Sequence, residues 1–241
     1  MADVFRFKHF SIAQDQCAMK VGTDGILLGA WATSLSPQRI LDIGTGTGLI
    51  SLMLAQRFPD ASLQAIEIDP AACEQAKENF RTSPWSDRLT AVCECILNYS
   101  TRLELRGQYD LIVSNPPWFI ESLKSGNASR DLARHTESLS SGNLIGAAAQ
   151  MLSADGRFCT ILPHEQCSSF RKLAEDAGLF CQHCCDVHPT KTKPPKRVLI
   201  QLSHHRPDDG PQQSKLVVET EHRHVYTQEF IAMTKDFYLR F

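Results

Sequence analysis

Between residues 39 and 203 the sequence alternates apolar runs of strand length with segments of helical apolar spacing. Few folds satisfy that rhythm. RILDI (39–43), SLQAIEI (62–68), RLTAVCECI (88–96), YDLIV (109–113), RFCTILP (157–163) and FCQHCCDVH (180–188) read as strands. LISLMLAQRF (49–58), PAACEQAKENF (70–80), NLIGAAAQML (143–152) and HEQCSSFRKLAEDAGL (164–179) read as helices, with Pro70 at a helix start and Gly178 near a stop. Strands separated by helices pair in parallel through right-handed crossovers. A seventh strand, KRVLIQLS (196–203), follows too closely for a crossover helix, so it should run antiparallel. The expectation is an α/β fold: a doubly wound, mostly parallel seven-stranded sheet with the last strand antiparallel. Asp155-Gly156 predicts a turn before the fifth strand, and HHRPDDGPQQS (204–214) predicts a loop or loose linker.

A chain of 241 residues fits one domain, residues 1–241, with an N-terminal extension (1–38) and a C-terminal extension (204–241). At 42% hydrophobic and 22% charged, it carries enough apolar residues for a core. No run approaches the roughly 18–20 apolar residues of a membrane span. MADVFRFKHF lacks a secretory apolar stretch. Nine scattered cysteines read as reduced thiols, hence a cytoplasmic protein. The net charge of −2 means that any nucleic-acid partner must use a local basic patch.

LDIGTGTGLIS (41–51) lies where the first strand turns into the first helix of the alternation. Gly44, Gly46 and Gly48 permit a sharp turn and close approach to a ligand facing helix N-terminal amides. The spacing is G-x-G-x-G, not the G-x-G-x-x-G of dinucleotide folds. Asp42 suits a ligand with an ammonium group, and Glu67, ending the second strand, suits ribose hydroxyls. Together these favour S-adenosylmethionine over NAD.

SNPPWF (114–119) follows the fourth strand, at the carboxyl edge where open α/β sheets bind ligands. It resembles the N-P-P-[YFW] motif of amino-methyltransferases. An exocyclic adenine amine is a poor nucleophile because its lone pair is delocalised. Two acceptors aimed at its N–H bonds favour pyramidal nitrogen and stabilise the charge that develops on methyl transfer. The Asn115 side-chain oxygen and the Pro116 carbonyl are the candidates. Pro116 and Pro117 hold the backbone rigid, and Trp118 offers a stacking face.

The motif alone leaves adenine N6, guanine N2 and protein glutamine open as acceptors. FKHFSIAQDQCAMKVGTDGILLGAWA (7–32), LDIGTGTGLISLMLAQR, AIEIDP, SNPPWF and YTQEFIAMTKDFYL (226–239) together resemble the tRNA1(Val) adenine-37 N6-methyltransferase family, across nearly the whole chain. The resemblance implies a class I, Rossmann-like methyltransferase that uses S-adenosylmethionine to methylate N6 of an adenine in a tRNA anticodon loop. It places Gly44, Gly46, Gly48 and Glu67 at the cofactor, Thr23 and Asp24 near the cofactor's methionine end, and Asn115 to Trp118 at the target base. Where the family usually has an Asp toward the cofactor adenine, this chain has Cys95 with Glu94 adjacent, and either residue is the candidate.

HPTKTKPPKR (188–197) supplies Lys191, Lys193, Lys196 and Arg197, a candidate grip on RNA phosphates if the preceding strand is parallel. Segment 119–140, with Lys124, Arg130, Arg134 and His135, is a second candidate. CQHCC (181–185) has one C-x-x-C and no second pair at zinc spacing. Strand alternation sends Cys181 and Cys185 to one face and Cys184 to the other, so no metal is expected. Nothing calls for an obligate protein partner. An oxidoreductase is disfavoured by the glycine spacing, and a non-catalytic RNA-binding module by the intact motifs.

Overall fold

The computed structural model describes residues 3–17, 19–118 and 139–240; Lys124, Arg130, Arg134 and His135 lie outside them. Its centre is a mixed sheet of eight strands among the described residues. These are β3 (Arg39–Ile43), β4 (Ser62–Glu67), β5 (Leu89–Cys93), β6 (Tyr109–Ser114), β7 (Leu152–Pro163), β8 (Phe180–His188), β9 (Arg197–Ser203) and β10 (Gln212–Val217), in the order β10-β8-β9-β7-β6-β3-β4-β5. A small antiparallel hairpin, β1 (Val4–Arg6) and β2 (Ser11–Ala13), precedes it. The helices are α1 (Thr23–Trp31), α2 (Leu49–Arg57), α3 (Pro70–Arg81), α4 (Ile96–Tyr99), α5 (Ser141–Met151), α6 (Cys167–Asp176) and α7 (Gln228–Thr234).

Central strands β3 and β6 are buried on both faces, which is why they read as continuous apolar runs. One core packs Leu27, Leu52, Met53, Ala76 and Phe80 against the sheet; the other packs Ile145, Met151, Phe158 and Phe170 on the opposite side. β9 is antiparallel to both β7 and β8, as its short connection requires, so β8 points the same way as β7 and the loop after it opens at the carboxyl edge.

The differences from expectation are local. The sheet has an eighth strand: β10, from a segment read as extension, pairs in parallel with the outer side of β8. Its sequence, QQSKLV, is polar because it is an edge strand with little to bury. Asp155-Gly156 makes no turn; β7 runs through it with a register shift against β6, and a Cβ on Gly156 would sit 2.8 Å from Tyr109 O. The third expected strand ends at Cys93, and its last residues begin α4. A register shift between Cys181 and His183 puts Cys181 and Cys184 on the same face, their sulfurs 3.3 Å apart, with Cys185 in the other core. Period-2 alternation fails across a bulge because one extra residue reverses every later side chain.

Candidate active site

β3 and β6 are neighbours in the sheet but far apart in the chain; α2, which follows β3, packs in one core and α5, the next described helix after β6, packs in the other, which opens a crevice at the strands' carboxyl ends. The register sets Ile43 opposite Ser114, and the Ser114 hydroxyl donates to Ile43 O at 2.8 Å. Gly44 and Asn115, each one residue further on, therefore enter the crevice side by side.

The glycine loop turns through left-handed residues. Gly44 has φ +71° and Gly46 φ +56°, a region that side chains strain. A Cβ on either would meet nothing within 4 Å, so the space beside the loop is open to a ligand. Asp42 is buried beneath. Its Oδ2 accepts from Thr45 Oγ1 at 2.6 Å and Ser51 Oγ at 2.8 Å, while its buried Oδ1 has no hydrogen-bond partner among the described residues. Burial pushes the Asp42 carboxyl up to about 6, against the lowering effect of those two hydroxyls. Glu67 reaches under the loop: its carboxylate accepts from the amides of Gly46 at 2.8 Å, Ile68 at 2.8 Å and Asp69 at 3.0 Å. A carboxylate has about four acceptor positions, so capacity for a hydroxyl remains.

A cleft of about 530 Å³ joins this loop to the proline corner. Thr23, Asp24, Gly44, Gly46, Asn115, Pro116, Pro117, Trp118 and Arg197 line it. These sequence-derived candidates thus come together from both ends of the chain. Asn115 is half-buried, close to Gly25 at the start of α1. Trp118 is less free than a bare stacking face: its indole N–H donates to Ile161 O at 2.6 Å, and its ring meets Phe170 edge-on at 5.6 Å. Arg197 differs from the three lysines grouped with it. Its Nε donates to Asp24 Oδ2 at 2.8 Å, whereas Lys191, Lys193 and Lys196 are exposed on the loop beyond.

Glu94 and Cys95 follow β5, two strands from β3, and lie outside this cleft. The Glu94 amide donates to Glu67 O at 2.9 Å, its carboxylate pairs with Arg102 at 2.6 Å, and Cys95 caps α4. Among the described residues no group of three or more His, Cys, Asp or Glu is arranged to hold a metal ion.

Sequence reading missed the residues that hold the N-terminal segment in place. The Asn79 amide donates to Ala13 O at 2.9 Å and Thr47 O at 2.8 Å, and its oxygen accepts from Ala13 N at 2.9 Å. Gln75 accepts from Gln16 N, and Gln14 from Val21 N. These bonds lead the chain over α3 so that Met19 to Gly25 enter the cleft. The available signal was two polar residues, Gln75 and Asn79, on the buried face of α3 beside Ala72, Ala76 and Phe80.

The methyltransferase small domain family matches residues 20–182 of this chain. A protein of Parabacteroides distasonis named tRNA1(Val) (adenine(37)-N6)-methyltransferase is 48% identical, over 98% of each chain. The chain belongs to that family. A second member of it, from Trichodesmium erythraeum and bearing the same name, is 47% identical over 98% of each chain. Among solved structures, one described as a predicted O-methyltransferase of Agrobacterium tumefaciens superposes with a TM-score of 0.67 at 16% identity, covering 89% of this chain and 96% of its own. That likeness concerns the class I methyltransferase fold alone. The residues at the crevice suit S-adenosylmethionine. Open space beside Gly44 and Gly46 admits the donor, whereas Asp42, buried beneath the loop, Gly48 and Glu67 are not among the residues that line the cleft.

Proposed function

We propose that this chain methylates N6 of an unpaired adenine in tRNA, following its family at adenine 37 of tRNA1(Val) in the anticodon loop, with S-adenosylmethionine as methyl donor. The observation that carries the reading is the β3–β6 register, which sets the glycine loop beside Asn115 in one cleft.

Bound there, the cofactor supplies a methyl group already activated on a sulfonium. Asp42, Thr23 and Asp24 hold its methionine end. Gly44, Gly46 and Gly48 would shape the loop around it, Glu67 would accept from a ribose hydroxyl, and Glu94 or Cys95, beyond the cleft, is the candidate toward its adenine. The Asn115 side-chain oxygen and the Pro116 carbonyl accept the two N–H bonds of the target amine, turning its lone pair toward the methyl carbon. With the cofactor bound, the amine nitrogen would take the methyl group as the sulfur leaves as a neutral thioether, and the surplus amine proton would pass to solvent. Pro117 stiffens the corner, and Trp118 packs beside the extruded base. Lys191, Lys193 and Lys196 contact backbone phosphates of the anticodon stem-loop, with Arg197 at the inner end of the loop.

The 1–38 and 204–241 segments are parts of one working domain. Met19 to Gly25 complete the cleft, and α7 packs on α1. Among the described residues no helix is long and apolar enough to cross a membrane. A tRNA-modifying enzyme of this composition acts in the cytoplasm.

The test is labelled methyl transfer to total cellular RNA and protein, followed by nucleoside and amino-acid analysis. N6-methyladenosine in an anticodon loop is expected. Label in N2-methylguanosine or methylglutamine would instead identify one of the other acceptors open to N-P-P-aromatic motifs.

A further inference from the structure

Asp24 and Arg197 are 173 residues apart in sequence, yet their side chains meet at 2.8 Å inside the cleft. Asp24 is in the first turn of α1; Arg197 opens β9 and ends the loop that carries Lys191, Lys193 and Lys196. The two side chains are 35% and 39% exposed, so the pair adds little to stability. It uses one carboxylate oxygen of Asp24 and the Nε of Arg197, while Arg197 Nη1 donates to Lys196 O at 3.2 Å. Among the described residues Asp24 Oδ1 and Arg197 Nη2 make no hydrogen bond. Each partner thus keeps one polar atom available in the cleft, of opposite charge. The carboxylate oxygen suits the ammonium of an amino-acid moiety. The guanidinium nitrogen suits a phosphate oxygen.

The helix that Asp24 begins also touches the catalytic corner. A Cβ on Gly25 would stand 3.1 Å from Leu49 Cδ2 and 3.9 Å from Asn115 Nδ2. Anything that fixes Asp24 therefore fixes the start of α1 against both the glycine-loop helix and Asn115. Of the other charged residues lining the cleft, Lys20 is held by Asp3 at 2.5 Å, and Glu165 follows the end of β7.

We propose that Asp24 and Arg197 form a positioning pair that couples cofactor binding to RNA binding. A phosphate engaging the outer nitrogen of Arg197 holds the guanidinium against Asp24, and Asp24 so held presents its second oxygen to the cofactor's ammonium. Linkage makes the effect reciprocal: each ligand tightens the other by the same factor. This rests on the cleft assignment proposed above and adds to it a role that neither residue has alone.

The experiment uses S-adenosylhomocysteine, which keeps the ammonium and cannot react, and an anticodon stem-loop RNA with an unpaired adenine. Its dissociation constant is measured by calorimetry with and without saturating RNA. The parent enzyme should bind it at least about fivefold more tightly with RNA present. Arg197→Gln and Asp24→Asn should each bring that ratio close to one, and the double variant should behave like either single, as members of one unit do. Lys191→Gln/Lys193→Gln/Lys196→Gln should need more RNA for saturation yet keep the ratio. A ratio of one in the parent, or a parent-like ratio in Arg197→Gln, overturns the coupling and leaves the cleft assignment standing. Failure of the parent to bind S-adenosylhomocysteine at all overturns both.

Discussion

Phe80 closes over Gly48. At φ +83° the glycine caps α2 in a left-handed conformation, and a Cβ there would lie 2.5 Å from the Phe80 ring. This glycine serves packing more than ligand approach, unlike Gly44 and Gly46. Gly48→Ala combines left-handed strain of about 1–2 kcal/mol with overpacking of about 1–3 kcal/mol. Urea unfolding should show a loss of roughly 2–5 kcal/mol, partly recovered by adding Phe80→Leu. An unrecovered loss would place the cost in the backbone alone.

Asn115→Ala should separate chemistry from binding. The prolines and Trp118 remain, so RNA and cofactor still associate. The single-turnover methylation rate should fall about 10²- to 10³-fold, the usual effect of removing one preorganised polar group. A parent-like rate would remove Asn115 from the mechanism.

Trp118 has two functions to distinguish. Trp118→Tyr keeps an aromatic face but gives up the N–H bond to Ile161 O, a loss of about 1 kcal/mol in stability, with most activity retained. Trp118→Ala also loses the face, worth about 1–3 kcal/mol per stacked base, and RNA affinity should fall accordingly. Equal RNA affinity in the two variants would make the tryptophan purely a packing residue.

Asp42 gives a pH signature. Its folded-state value of about 6 lies above the ordinary 3.8, so the protonated acid favours the fold. That contribution is complete below about pH 4 and is lost as pH rises to about 6. Cofactor binding has the opposite sign, because an ammonium needs the ionised carboxylate. Affinity should weaken roughly tenfold per pH unit below about 6 and level off above it. Asp42→Asn should bind more weakly with a flat profile. Calorimetry across that range checks both.

Neutralising Lys191, Lys193 and Lys196 to Gln should weaken RNA binding and flatten its log–log salt dependence by up to ~0.7–0.9 per lost phosphate contact. Cofactor affinity without RNA should not change. An unaltered slope would leave the loop as a solvated connector.

The sheet was legible in the sequence to the extent that strands are buried. β3, β6 and the second half of β7 are apolar because neighbours cover both faces, β4 and β8 mix buried apolar with partly exposed polar positions, and the short gap before β9 betrayed its direction. β10 escaped notice because an edge strand has no such pattern. The glycine loop and the proline corner stood out because their backbone conformations demand particular residues. The placing of Thr23 and Asp24 came from family resemblance, and both residues line the cleft. Pairings over long sequence separations, Asp24 with Arg197 or Asn79 with Ala13, leave no local trace. The Cys181–Cys184 contact was hidden by a bulge that no periodicity announces.

β9 is the only strand that joins β8 and β10 to the rest of the sheet among the described residues. Its position has a consequence for biosynthesis. The slot between β7 and β8 stays vacant until residues 197–203 have left the ribosome, late in a chain of 241. Until then both bordering strands lack a partner on that side, and unpaired edges are where strands of other chains can add. Arg197 arrives with the strand that fills the slot, so the cleft acquires its last charged wall in the step that closes the sheet. An incompletely translated chain can carry both the glycine loop and the proline corner and still lack an assembled active site.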